Sequence, residues 1–310
     1  MGAVITGVGV ALPDKTVTNA DLEVRIDTSD AWIVERTGIR ERRIGGTTAG
    51  LATEAGRAAL GEAGLGPEDI DLLILATTTP DRTVPATSAT VQAQLDLRCG
   101  AFDINAACSG WVYALVSAYG LIDLGGPVRR ILLIGAETLS RVTDWDDRVT
   151  AVLFADGAGA SVLEAAPGPS PLLGWDLGAD GRAESALYAD HGDYIRMDGR
   201  EIFRRATRVM VDSSLRALAM AGLSPEEVDL VVPHQANIRI IEAANRRLGI
   251  PMERTAVVIH RTGNSSSATI PTALHDAIQH GRLSDGAVVL FVGFGAGMTW
   301  ASAVVRWGRP

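Results

Sequence analysis

Two stretches of this sequence are near copies of each other. Ala63–Ile74 reads AGLGPEDIDLLI and Ala221–Val232 reads AGLSPEEVDLVV, with most positions identical at an offset of 158 (63 to 221). Each closes a helical pattern at Gly, turns through Pro and acidic residues, and enters an apolar run, which predicts helix, turn and strand. The segments before them, LATEAGRAALGEA and ATRVMVDSSLRALAM, carry the helical spacing. Solenoid units repeat every 20–50 residues or so, so this period predicts two pseudo-equivalent halves instead. A chain of 310 residues has the length for two such units. The Pro-rich stretch APGPSPLLG, Ala166 to Gly174, is the natural junction, giving halves 1–165 and 166–310. Strands are predicted at Val4–Val10, Ala101–Asn105, Ile131–Gly135, Gly159–Glu164, Val288–Val292 and Ser302–Arg306. Several are continuous apolar runs separated by helical patterns, as in strands buried on both faces. The expected class is α/β in layers, with helices packed between or over two sheets.

Composition excludes several functions. Apolar residues make up 47% and charged ones 21%, ordinary for a globular protein. Gly, Pro or charge interrupts every apolar run before the eighteen or so residues of a membrane span, and the apolar N-terminus reads as a first buried strand, not a signal peptide. A net charge of -9 argues against nucleic acid as a partner, since phosphate needs a basic surface. Arg204, Arg205, Arg208, Arg239, Arg246 and Arg247 fall in the second half and could still gather into a local anion-binding face. The two cysteines, Cys99 and Cys108, do not suggest a disulfide framework, and a reducing cytoplasm is the expected compartment.

Cys108 lies where a short strand gives way to Ala106 and Ala107 and a helix opens near Ser109. The positive end of a helix favours thiolate over thiol, and the thiolate is the nucleophile. His234, in VDLVVPHQAN, follows an apolar strand and Pro233, where loops build sites. Asn264 lies in the polar loop HRTGNSSSATIP before an apolar helix. Cys with His and Asn is a recognised nucleophilic constellation, although each residue alone reads equally well as a buried thiol, a satisfied strand-end histidine and a turn residue. Gly295, Ala296 and Gly297 form a tight segment after a buried strand, where a backbone can approach a ligand closely. Neither GVGV at Gly7 nor GAGA at Gly157 completes a dinucleotide fingerprint.

Taken in order, NAACSGW, VPHQAN, GNSSSATIP and FGAGMTW resemble the β-ketoacyl-acyl carrier protein synthase III family of the thiolase superfamily. The similarity runs from TGVG to ASAVVRW and includes SDAWIVERTGIRERR and FADGAGA at Phe154. The resemblance implies a duplicated five-layer αβαβα fold and a homodimer. It implies that Cys108 carries the acyl group of an acyl-CoA primer, and that His234 and Asn264 bind the carbonyl of a malonyl-acyl carrier protein as it decarboxylates. Two neutral donors suit that enolate, since neither readily protonates it. It further implies an oxyanion hole from the Cys108 and Gly297 amides, coenzyme A binding by Thr28, Trp32, Arg36 and Arg148, and carrier-protein binding by Arg239, Arg246 and Arg247. Coenzyme A enters as a substrate thioester, with no separate cofactor and no metal. Ala155, where the family often has Gly, and Asn105 depart from the pattern. TPDRTVPATSATVQ, the acyl-pocket segment, aligns least well, so the primer stays open among acetyl, branched and longer groups, and so does the choice between housekeeping fatty acid and specialised polyketide pathways. Two rivals stand beside condensation: acyl transfer to an alcohol or amine without decarboxylation, and a noncatalytic partner subunit, which the presence of Cys108, His234 and Asn264 disfavours.

Overall fold

A computed structural model describes residues 2–308. The first sheet contains β1 (Gly2–Ala11), β2 (Leu72–Ala76), β3 (Gly100–Ile104), β4 (Arg130–Thr138) and β5 (Asp156–Ala166). The second contains β6 (Leu172–Ala179), β7 (Leu230–Pro233), β8 (Val288–Gly295) and β9 (Thr299–Arg306). Six helices matter to the site: α1 (Asp30–Thr37), α2 (Thr48–Ala63), α3 (Gly110–Asp123), α4 (Gly199–Ala221), α5 (Ile238–Leu248) and α6 (Thr269–Gln279).

The two sheets repeat each other over four strands. The first sheet runs β1-β5-β4-β2-β3 and the second β6-β9-β8-β7. In both, the first two pairings are antiparallel and the next is parallel. The place of a fifth strand beside β7 is held by a single parallel bridge, Val231 to Thr255. The copied segments behave alike: α2 and α4 each end on a left-handed glycine, Gly64 and Gly222. Each then enters a short 3₁₀ turn in which an acidic side chain caps a backbone amide, Asp69 to Gly66 N–H at 2.9 Å and Glu227 to Ser224 N–H at 2.8 Å.

Every predicted strand is present, and most are longer than predicted because buried Gly and Ala extend the runs. β6 was not foreseen; it begins within the Pro-rich stretch, at Leu172.

Burial sorts these elements into five layers. α3 and α6 lie between the sheets, where Trp111, Leu115, Ile270 and Leu274 share one core with Ile74 and Leu133 of the first sheet and Val232 and Phe291 of the second. The apolar composition of α3, Trp111 to Ile122, fits a helix covered on both sides. α2 covers the outer face of the first sheet, and α4 with α5 that of the second. This is the αβαβα arrangement of the thiolase fold. No helix among the described residues is long and apolar enough to cross a membrane.

Candidate active site

Cys108 sits in a one-turn 3₁₀ segment, Ala107–Ser109, between β3 and α3. Ala107 has a φ of 48°, a left-handed conformation that an L residue adopts only when its surroundings hold it there. The Ser109 hydroxyl donates to Ala106 C=O at 2.7 Å, and Thr299 Oγ1 donates to the same carbonyl at 2.9 Å. The end of β8 presses on this turn: a Cβ added to Gly295 would lie 2.5 Å from Cys108 N. The close approach expected of these glycines is therefore first to the nucleophile's own backbone. Gly297, with φ 69°, sits in the turn between β8 and β9.

His234 is buried directly after β7, its N–H donating to Val292 C=O at 2.8 Å and its ring edge-on to Phe294 at 5.6 Å between centroids. Nδ1 is 2.7 Å from Thr269 Oγ1. Neighbouring Gln235 spends its amide on Pro233 and Ala256 carbonyls and the Val258 and Ile259 amides, which makes it a brace.

Asn264 is fixed at both ends. Its backbone exchanges bonds with the strand end before β5, N–H to Leu153 C=O at 3.0 Å and C=O from Ala155 N–H at 2.9 Å. Its Oδ1 accepts the Ser266 amide at 2.9 Å, and its Nδ2 donates to no other described residue. The departure at Ala155 fits this packing, since its methyl occupies space that a Cβ on Gly263 would invade at 2.9 Å.

The three predicted groups converge on one residue. The Ser266 side chain lies beside the Cys108 thiol, its amide holds Asn264, and its backbone faces the His234 ring. Burial pushes the Cys108 thiol up to about 12, the Glu137 carboxylate adds to that rise, and the Ser266 hydroxyl opposes it. Burial lowers His234 to about 3. The resting pair is thus thiol and neutral imidazole. Cys108 lies in the 3₁₀ turn ahead of α3, and its burial opposes the thiolate that a helix end favours.

Cys108 and Ser266 open on a cavity of about 850 Å³ with apolar walls from Leu139, Val142, Phe154 and Ile195. Thr79 to Thr83, from the segment that aligned least well, line it too. Phe154, Leu139, Val142 and Ile195 also pack in the cluster that receives Trp32, so cavity wall and α1 share one core.

Of the expected coenzyme A residues, Trp32, Arg36 and Arg148 cluster together, and Arg148 lines a second, shallow pocket with Arg25, Ile26, Asp27 and Asp146. The Arg148 guanidinium lies 4.5 Å from the Trp32 ring centroid and that of Arg36 5.6 Å. Arg148 also donates to Asp27 C=O at 2.9 Å, and the neighbouring Thr28 hydroxyl is buried without a partner. α5 abuts α1, with Asn237 Nδ2 donating to Arg36 C=O at 2.9 Å. Arg239, Arg246 and Arg247 are exposed on α5, and Arg239 lies over Phe203 at 5.5 Å. The remaining arginines do not join a free basic face: Arg204, Arg205 and Arg208 pair with Glu201, Asp180 and Asp212. Sequence reasoning passed over Ser266, Thr269, Thr299 and Glu137. The only signal for the first two was their place inside GNSSSATIP.

A duplicated thiolase fold with a cysteine in the turn ahead of its central helix, beside a serine that also meets a histidine and an asparagine of the second half, fits the class of thioester-condensing enzymes. Residues 102–181 match the family described as 3-Oxoacyl-[acyl-carrier-protein (ACP)] synthase III, and 218–307 match its C-terminal part. The chain is 47% identical to Beta-ketoacyl-[acyl-carrier-protein] synthase III of Bacillus pumilus, with 100% of both covered. It superposes on the crystal structure of the Aquifex aeolicus 3-oxoacyl-[acyl-carrier-protein] synthase III with a TM-score of 0.97 at 48% identity, covering 99% of this chain and 100% of that one. The priming β-ketosynthase of the R1128 polyketide pathway gives a TM-score of 0.94 at 34% identity, covering 100% and 97%. The chain belongs to the β-ketoacyl-acyl carrier protein synthase III family, a family of condensing acyltransferases.

Proposed function

We propose that this enzyme condenses an acyl-CoA primer with a malonyl-acyl carrier protein through an acyl-Cys108 intermediate. The observation that carries the assignment of residues is the convergence of Cys108, His234 and Asn264 on Ser266 beside the large cavity. The Cys108 sulfur attacks the thioester carbonyl, its proton leaves with the departing coenzyme A thiol, and the acyl group remains on sulfur. The Cys108 and Gly297 amides serve as the oxyanion hole for that transfer. The malonyl thioester then loses carbon dioxide, and the electron pair moves into its carbonyl as an enolate. C2 of the enolate attacks the acyl-Cys108 carbonyl, forming the new carbon–carbon bond and expelling the cysteine sulfur.

His234 and Asn264 suit the second step because both are neutral: burial holds the imidazole uncharged, and a carboxamide does not ionise. Asn264 Oδ1 is taken by Ser266, so Nδ2 is the end presented to substrate. The Thr269 hydroxyl reaches both Ser266 C=O and His234 Nδ1 with one proton for the two; when substrate binding draws that proton to Nδ1, the single proton of the neutral ring lies on Nε2, again a donor. Removing one such donor costs roughly 10²- to 10³-fold in rate. Coenzyme A is needed only as part of the primer. Its adenine and phosphates go to Trp32, Arg36, Arg148 and Thr28, where indole stacks and guanidinium pairs. The acidic carrier goes to the exposed Arg239, Arg246 and Arg247.

Three further assignments belong to this reading. Residues 1–165 and 166–310 are the two duplicated units, neither of which holds a complete site. The active form is a homodimer, supported by the unpaired edge of β3 with Phe102 40% exposed and by Val84, 79% exposed beyond the cavity-lining segment. The compartment is the cytoplasm, where two unbridged cysteines are stable. Intact-mass measurement after mixing with acyl-CoA tests the core assignment: wild type should gain one acyl mass and Cys108→Ala none. Equal labelling of the two would reject Cys108 as the carrier.

A further inference from the structure

Beneath the site lies a fully buried carboxylate, Glu137, at the end of β4. Every group that hydrogen-bonds it is neutral, and the nearby guanidinium of Arg141 is committed to Asp81 and Thr79 C=O. Its two oxygens divide their labour. Oε2 accepts from Thr79 N–H at 3.1 Å and from the Thr79 and Thr78 hydroxyls at 2.6 and 3.1 Å, all in the cavity wall of the first half. Oε1 accepts from the Ser266 and Ser267 hydroxyls at 3.0 and 2.9 Å, in the second half, and shares the Thr78 amide with Oε2, at 3.2 and 3.0 Å.

Ser266 is the residue on which the reactive groups converge, and its φ of 48° needs an external hold. The Thr269 hydroxyl lies 2.9 Å from the Ser266 carbonyl and 2.7 Å from His234 Nδ1, with one proton to give to either. We propose that Glu137, acting through Ser266, is a positioning residue that keeps Cys108, His234 and Asn264 in register across the junction of the halves; the proposal rests on the condensing reading above.

The chemistry explains why a carboxylate stands there. Only an ionised carboxyl accepts at both oxygens, so only it can take donors from both halves at once. Burial pushes its pKa up, and the hydrogen bonds from Thr79, Thr78, Ser267 and Ser266 oppose that rise. A Gln of the same shape must turn its NH₂ toward one half. The Thr78 and Thr79 amides cannot reverse, whereas the serine hydroxyls can, so the NH₂ turns to Ser266. Ser266 then accepts where it had donated, and its own proton is freed for the Cys108 sulfur.

Glu137→Gln tests this with two readouts. The kcat for condensation should fall by about 10- to 100-fold, the scale of small misplacements of reacting groups, with the KM for acyl-CoA nearly unchanged because the Trp32 cluster is remote. Iodoacetamide alkylation of Cys108, followed by peptide mass so that Cys99 is not counted, should move to lower pH. The titratable groups around the sulfur are Glu137 and neutral His234, with Asp81, Arg82, Arg141, Tyr188, Asp190 and His191 along the cavity, and only the first is altered. A variant that melts earlier yet keeps wild-type kcat and an unmoved alkylation profile would overturn the proposal. Should Glu137→Gln not fold, Ser266→Ala cuts the same link and leaves the Thr77–Thr79 bonds intact; wild-type kcat there would equally overturn it. Alkylation is read without substrate, so its outcome stands apart from a failure of Cys108 to take up acyl groups.

Discussion

A buried histidine held neutral is an unusual investment, and it leaves a thermodynamic trace. Burial lowers the His234 pKa from 6.5 to about 3. Between those values the unfolded chain binds a proton that the folded one refuses, so stability is full above pH 6.5 and is lost as pH falls toward 3. The slope from this one group is about 1.4 kcal/mol per pH unit. Urea unfolding between pH 7 and 4 should therefore show wild type losing stability faster than His234→Gln, by close to one proton's slope. Parallel curves would mean the ring is charged or solvated in the fold. The same neutrality predicts that decarboxylation has no acid limb from His234 in the ordinary assay range. Cys108, His234 and Asn264 were legible because each sits in a short motif set by local backbone needs. Glu137 was not, since GAETLS has no pattern of its own and the partners of Glu137 lie 58 to 60 positions before it and about 130 after it.

At the scale of elements, the duplication predicts matched weaknesses. Gly7 on β1 and Gly174 on β6 play one role, letting a strand lie directly on its covering helix. A Cβ on Gly7 would meet Ala59 C=O at 2.3 Å, and one on Gly174 would meet Ala217 C=O at 2.2 Å. Both alanine variants should destabilise by about 1–3 kcal/mol through overpacking, read as similar drops in denaturant midpoint. A neutral Gly174→Ala beside a damaging Gly7→Ala would deny the equivalence. Sequence periodicity announced the repeated helix, turn and strand, yet β6 was hidden. Its LLGWDLGA alternates weakly, and it owes its strand to pairing with β9 far along the chain. The fifth place of the second sheet shrank to one bridge, which no local pattern could reveal.

For the whole molecule, the proposed route of substrate runs from the Trp32 cluster to the Cys108 cavity, with the carrier approaching over α5. Trp32→Ala should raise the KM for acyl-CoA several-fold while leaving the kcat of primed enzyme nearly intact. Arg239→Glu should instead raise the KM for malonyl-acyl carrier protein and flatten its dependence on salt, since screening acts on exposed charge. Equal effects of both variants on both substrates would merge the two entrances into one.

The central claim is that the first half holds the acyl group and the second half makes the carbanion. Separating the half-reactions in His234→Ala and Asn264→Ala tests it most directly, with acyl mass on Cys108 and carbon dioxide from malonyl-acyl carrier protein scored in the same samples. The account predicts that both variants still become acylated while carbon dioxide release falls by roughly 10²-fold or more. Release at the wild-type rate from either variant would contradict it.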